Sequence, residues 1–178
     1  MILLFRIISD EDPDFFRDLV IDGSDTFLDF HQTLQKDLGY DASQLASFFT
    51  TTELWEKKQE ITLIDMMQDP ELETLTMGEV TLEEYISEVN QRMIYVFDFF
   101  SERAFFMELI EKSDQTSPRE TPFIASARGN PPAQLSLDLL TDEPDQEDRE
   151  ADPFDDTDDL RLDDLDPDLF DTGNPEDF

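Results

Sequence analysis

The 178-residue chain contains a single histidine, His31, and no cysteine. Any proton transfer through an imidazole would have to be assembled around that one side chain, and multi-histidine zinc sites and thiolate metal sites are excluded. The carboxylate that stands out beside it is Asp98, set inside the apolar run Tyr95-Val-Phe-Asp-Phe-Phe100, where an ionised group is costly unless paired. His31 acting as a base with Asp98 would make a small enzyme. That reading lacks an activated nucleophile, and a metal needs more ligands than one imidazole and scattered acids. The simpler assignment is a packed helix histidine and a structural ion pair between Asp98 and Arg103 across a tight hairpin, with Arg6 and Arg17 as alternative partners. On this assignment there are no catalytic residues, no cofactor and no metal.

A second kind of chemistry is peptide recognition. The stretch Gln134-Leu-Ser-Leu-Asp-Leu139 resembles the hexapeptide QLxLxL by which bacterial polymerases and repair proteins dock on the replication sliding clamp. An extended peptide of this kind buries Leu137 and Leu139 in an apolar pocket, with Leu135 in the same register, while the Gln134 amide orients it. Further on, Phe154, Leu165 and Phe170 are interspersed among aspartates, the composition of acidic interaction segments.

Charge narrows the partners. Asp and Glu number 46 against 12 Lys and Arg, a net charge of −34. Residues 138–178 carry 19 of those acids and 2 of the bases, half the net charge in under a quarter of the chain. Such a segment cannot bury enough apolar surface to offset its ordering entropy and self-repulsion. The expected organisation is therefore a globular domain over 1–134 and a disordered acidic tail over 135–178. The globular part is itself acidic, which opposes attraction to phosphate backbones and anionic membranes. Neither nucleic acid nor membrane is expected as a direct ligand; a protein with a basic or apolar groove is. No apolar run approaches the roughly 20 residues of a membrane helix, and the expected setting is cytoplasmic. The five glycines are scattered, so no phosphate-cradling loop exists.

The elements that must position these residues can be read from periodicity. Ile2–Ile8 and Phe15–Ile21 are apolar runs separated by the turn cluster Ser-Asp-Glu-Asp-Pro13-Asp, which reads as a β-hairpin. Thr26 with Asp29 forms a capping-box pattern; Phe27, Phe30, Leu34 and Leu38 follow at helical spacing, and Gly39 suits the residue just past the helix. Leu45–Thr51 reads as a strand, with Trp55 and Ile61–Ile64 continuing the β pattern. A second helix is signalled by Thr81 and Glu84, followed by Leu82, Tyr85, Ile86 and Val89. Met93, Tyr95, Phe97 and Phe99 then alternate with Ile94, Val96, Asp98 and Phe100, and Ala104–Ile110 returns as the second arm of a hairpin. Phe123–Ala127 is a last short strand. The second hairpin is apolar on both faces, so either helices cover both sides or one face takes a partner; covering is the expectation, dimerisation the alternative. The fold class is α+β, a mainly antiparallel sheet with two or more helices.

The order of these pieces resembles the plasmid pRiA4b ORF-3-like family, also described as a passenger protein of insertion elements. Pro13 followed by Phe16-Arg17 sits where that family has Pro and then Trp-Arg. Phe30-His31-Gln-Thr-Leu34-Gln35 with Leu38-Gly39-Tyr40 is similar to its LHxxIQxxFGW helix end, and Leu45–Phe49 to its HLxxF strand. Tyr95-Val-Phe-Asp98-Phe99 is similar to its YxYDFGDxWxH signature, and Gly129–Pro132 to its GxxxPP turn. The resemblance covers residues 1–134 and makes His31, Tyr95, Asp98, Phe99, Gly129 and Pro132 motif positions. Gln44 stands in place of a family His, Phe100-Ser101 in place of Gly-Asp, and Arg103 and Phe105 near its Trp and His. What the resemblance implies is a β-grasp-like α+β fold, a bacterial setting and a link to mobile elements, with no established activity. Together these readings point to a non-catalytic interaction or adaptor module, with a sliding-clamp-associated protein and a small enzyme as the alternatives.

Overall fold

Strict alternation of apolar side chains makes the first two strands. In the computed structural model, which describes residues 1–65, 74–115, 117 and 119–135, β1 (Ile2–Ser9) and β2 (Phe16–Asp22) pair antiparallel as the expected hairpin. Leu3, Phe5 and Ile7 of β1 are fully buried on one face, as are Leu19 and Ile21 of β2.

Helix α1 (Phe27–Leu38) follows as its caps dictate. The Thr26 hydroxyl accepts from the Asp29 amide at 3.2 Å, and the Asp29 carboxylate accepts from the Thr26 amide at 2.9 Å. Gly39, with φ 69°, sits in the left-handed region that lets the chain leave the helix, its amide bonding the Gln35 carbonyl. The helix lays Phe27, Phe30, Leu34 and Leu38 on the sheet, where Phe30 meets Phe5 and Phe48 with ring centroids 5.2 and 5.3 Å apart.

The remaining strands are β3 (Ser47–Thr51), β4 (Lys57–Thr62), β5 (Leu75–Thr76), β6 (Arg92–Asp98), β7 (Arg103–Ser113) and β8 (Phe123–Arg128). They complete an eight-stranded sheet in the order β5-β4-β3-β6-β7-β1-β2-β8, in which only the β4–β5 pair is parallel among the described residues. The second helix, α2, is a single turn (Leu82–Tyr85): the Thr81–Glu84 capping box forms, but Ile86 is already extended and Val89 lies exposed beyond it. Its Leu82, with Ile86, joins the same core as α1.

Both helices of the described residues thus serve one face, and among these residues no helix covers the other side of the aromatic hairpin, contrary to expectation. Ile94, Val96 and Ala104 form a separate small cluster on the opposite face, packed against Phe49, Trp55 and Phe106. The alternation also does not run on to Phe100. The strand ends at Asp98, and Phe99 and Phe100 lie in the turn, 47% and 89% exposed. The chain divides between Leu139 and Leu140. Of the expected acidic tail 135–178, only Leu135 falls within the described residues; Leu137, Leu139, Phe154, Leu165 and Phe170 lie outside them.

Candidate functional site

His31 and Gln35 are one helical turn apart on α1, and both reach the hydroxyl of Tyr95 on the central strand β6. Gln35 Nε2 donates to that oxygen at 2.6 Å, and His31 Nδ1 lies 2.8 Å from it. When the phenol gives its proton to His31 Nδ1, the imidazole is neutral and carries its own proton on Nε2. Burial acts in the same direction. His31 is 2% exposed, and desolvation pulls its pKa down to about 4; the Tyr95 phenol, fully buried, is pushed up for the same reason. The cluster locks helix to sheet in one register. A group sealed from solvent and spent on a phenol is poorly placed as a general base. Gln35 Oε1 is buried without a hydrogen-bond partner among the described residues, a cost of about 1–3 kcal/mol.

Asp98 is spent elsewhere. Its Oδ1 accepts from the Phe100 and Ser101 amides at 3.0 and 3.2 Å, capping the β6–β7 turn, which reverses through Glu102 at φ 54°. Arg103 Nη1 approaches Asp98 Oδ2 at 3.8 Å, but its short bonds go to Glu11, Nε at 2.9 Å and Nη2 at 2.8 Å, in a bidentate fork. The other two cations weighed for Asp98 are taken. Arg6 makes a bidentate pair with Asp18 at 2.8 Å, and Arg17 bonds Asp37 at 2.6 Å. His31 and Asp98 therefore share no hydrogen-bond partner, and no cluster of His, Asp and Glu able to hold a metal occurs among the described residues.

The segment after β8 is strapped across this same end of the sheet. Gly129, at φ 72°, passes so close to the first hairpin that a Cβ there would stand 2.8 Å from Phe15 Cα and 2.9 Å from the Asp14 carbonyl oxygen. Arg17 donates to the Arg128 and Gly129 carbonyls at 2.8 and 3.2 Å, and the Tyr40 hydroxyl donates to the Pro132 carbonyl at 2.6 Å. Gln134 turns its amide back on the domain: Oε1 accepts from the Asp41 amide at 2.7 Å and Nε2 donates to the Asp41 carbonyl at 3.0 Å. Leu135 follows, 56% exposed.

One end of the sheet thus gathers three pieces: the acidic turn Asp10-Glu11-Asp12-Pro13-Asp14, the aromatic tip Phe99-Phe100, and the strap that ends at Leu135. Arg103 ties them together, since it bonds Glu11, approaches Asp98 and reaches the Gln134 carbonyl at 3.5 Å. Its guanidinium rests over the Phe97 ring, 5.1 Å from the centroid. Sequence reading found Arg103 and Asp98 but missed Glu11, which is 92 positions away from Arg103.

The motif positions are accounted for in this geometry. His31 and Tyr95 bond each other, Asp98 and Phe99 form the tip, and Gly129 and Pro132 form the strap. Among solved structures, a protein of unknown function from Methanosarcina mazei Go1 shares the fold, with a TM-score of 0.57 and 16% identity over 71% of this chain and 68% of that one. No curated protein matches. A family model described as "Plasmid pRiA4b ORF-3-like protein" matches residues 4–173, reaching past the domain into the acidic segment. With nearly the whole chain matched and the motif residues in place, the protein belongs to the plasmid pRiA4b ORF-3-like family.

Proposed function

We propose that this protein is a non-catalytic interaction module, and that the end of the sheet bearing Phe99 and Phe100 is its partner-facing surface. The observation that carries the reading is Phe100, 89% exposed at the apex of a turn that Asp98 caps twice. An apolar ring held in water on a rigid support loses little conformational entropy on binding, which favours its use as an anchor. At the same end of the sheet lie Asp10, Glu11, Asp12 and Asp14, tied to the tip through the Arg103–Glu11 pair, with Glu102 in the turn itself, so the fitting partner is a protein surface with an apolar socket and a basic rim. The acidic segment beyond Leu135 adds charge of the same sign. This reading takes the fold as β-grasp-like and the setting as cytoplasmic, in keeping with a link to mobile elements.

The sliding-clamp alternative requires Gln134 to leave Asp41, breaking two hydrogen bonds before the peptide can extend. The enzyme alternative requires a base that burial and Tyr95 have already engaged. The test is quantitative capture of proteins from native cytoplasm by immobilised protein. Phe99→Ser/Phe100→Ser should abolish the specific band, and His31→Ala/Asp98→Asn, where its melting transition is retained, should keep it. A substrate-dependent activity abolished by His31→Ala alone would overturn the reading, as would full capture by the double serine variant.

A further inference from the structure

We infer that the helix-free face of the sheet, remote in role from the aromatic tip, is a two-fold interface with a second copy of this chain. Register brings two rows of side chains into line there. In one row, Asp18 faces Arg6, Arg6 faces Glu108 and Glu108 faces Arg92, so charge alternates in sign across β2, β1, β7 and β6. Two residues further along the strands, Phe16, Ile8, Phe106 and Ile94 occupy the same four strands in the second row, and Phe49 extends it onto β3.

An alternating row of four charges has a property that an arbitrary patch lacks: reversed end to end, it becomes its own complement. A two-fold axis parallel to the strands and midway between β1 and β7 sets Asp18 opposite Arg92 of the second copy, and Arg6 opposite its Glu108. The same operation brings Phe16 and Ile8 over the small cluster of Ile94 and Phe106, where Ile94 is itself buried and Trp55 packs on Phe106. Moving the axis by half a strand spacing, onto β1, would put Arg6 opposite Arg6 and Asp18 opposite Glu108, which like-charge repulsion forbids. Only the axis between β1 and β7 pairs all four charges; those between β1 and β2 or between β6 and β7 pair two and leave two without a facing charge.

Relief agrees with charge. The turn between β3 and β4 stands over one half of the face: Trp55 packs edge-on against Phe106 at 5.1 Å and carries the Arg92 guanidinium at 4.9 Å. The turn is braced by Thr52, whose amide bonds the Glu56 carbonyl at 2.9 Å and whose hydroxyl accepts from the Leu54 and Glu56 amides, each at 3.2 Å. At its crest Leu54 is 79% exposed. No such turn covers the β1–β2 half among the described residues, and Ile8 there is 43% exposed. The same axis lowers each raised half onto the open half of the other copy, so Leu54 meets Ile8 and Phe16. Four strands about 4.8 Å apart and two rows of side chains about 7 Å apart cover roughly 19 by 14 Å, to which the Leu54 turn adds its own contact. Before the turn is counted, that buries on the order of 500 Å² in total, the range of weak and transient interfaces.

The test is sedimentation equilibrium of the full-length chain at ~0.15 M salt, where long-range repulsion between acidic copies is screened. The wild type should dimerise with a sub-millimolar Kd, and Leu54→Ser, a change at an exposed crest, should weaken this at least tenfold. Two further variants use the symmetry. Arg6→Glu/Asp18→Arg and Arg92→Glu/Glu108→Arg each place like charges across the axis and should be monomeric alone; mixed, they restore all four pairs and should form a heterodimer. A wild type monomeric to millimolar concentration, an unchanged Kd for Leu54→Ser, or folded variants that do not pair on mixing would each overturn the inference. Phe100→Ser should leave the Kd unchanged, which separates failure here from failure of the partner-facing tip.

Discussion

The two faces of the sheet solve the same problem, how to carry a polar group among aromatic ones, in opposite ways. At the centre of the helix-covered face the polar groups are neutral, His31 and Gln35 both bonding Tyr95 at 2.6–2.8 Å, while the buried Arg17 pairs with the partly exposed Asp37 at 2.6 Å. On the open face they are ionised, as in the Arg6–Asp18 and Arg92–Glu108 pairs at 2.8 and 2.9 Å, and although Asp18 is buried its partner Arg6 keeps contact with water. Desolvation decides the difference. A buried ion must recover several kcal/mol through its partners, whereas a solvated pair contributes little either way. Polar groups on the covered face therefore act as locks, and those on the open face as labels.

The largest effect follows from packing. Phe48 is fully buried between Phe27, Phe30 and Tyr95, at centroid distances of 5.3, 5.3 and 4.8 Å. Phe48→Ala should cost about 3–5 kcal/mol of unfolding free energy in urea titration. Phe106→Ala on the open face, where the ring is only partly buried, should cost less than half as much. Equal losses would mean that the open face is as closely packed as the core, and the contrast would fail.

Acid sharpens the contrast next. The folded-state pKa of His31 is depressed to about 4, below its ordinary value of 6.5. Between those values the unfolded chain binds the proton and the folded one does not, so stability rises with pH across that window. The contribution is fully present above pH ~6.5 and is lost as pH falls toward 4, at most roughly 3 kcal/mol. In His31→Gln the slope between pH 6.5 and 4 should shrink, measured by urea midpoints at half-unit steps. An unchanged slope would show that the folded imidazole takes up its proton over the same range as the unfolded one.

Tyr95→Phe comes third. It keeps the ring contacts but leaves the Gln35 amide and His31 Nδ1 without their shared partner, and should cost about 1–3 kcal/mol. A neutral result would mean that the two α1 side chains find each other, or water, once the hydroxyl is gone.

How much of this was legible in the sequence depends on the range of the interaction. The Thr26–Asp29 cap and the Gly39 exit are decided within a few residues, and both are found where the pattern placed them. β4 was less legible because it is an outer strand whose Lys57, Lys58, Gln59 and Glu60 are all exposed, leaving only Ile61 to mark it. Period-two alternation cannot say where a hairpin reverses, so Phe99 and Phe100 read as strand although Asp98 ends it. Pairings across the fold were invisible: Arg103 with Glu11, 92 positions apart, and His31 with Tyr95, 64 apart, are set by β1–β7 pairing and by the placement of α1. The site was thus partly legible as residue types, while its partners needed the topology.

The smallest expected effect tests the tip against both faces. Phe100 is the most exposed large apolar side chain among the described residues, and its ring rests on neither core cluster. Burial stabilises at about 25 cal/mol per Å² removed from water, so a ring that stays in water contributes almost nothing to folding. Phe100→Ser keeps the backbone amide that donates to Asp98 Oδ1 at 3.0 Å, so the turn itself is preserved. Its unfolding free energy should lie within about 0.5 kcal/mol of the wild type, the range of surface substitutions without a packing role. Asp98→Ala is the matched control, because it removes the acceptor for two amides and an approach to Arg103, and should cost about 1–2 kcal/mol. A loss above 1 kcal/mol for Phe100→Ser would place that ring inside the fold rather than on its surface. A partner-binding defect without any stability loss is what a residue presented for recognition should show.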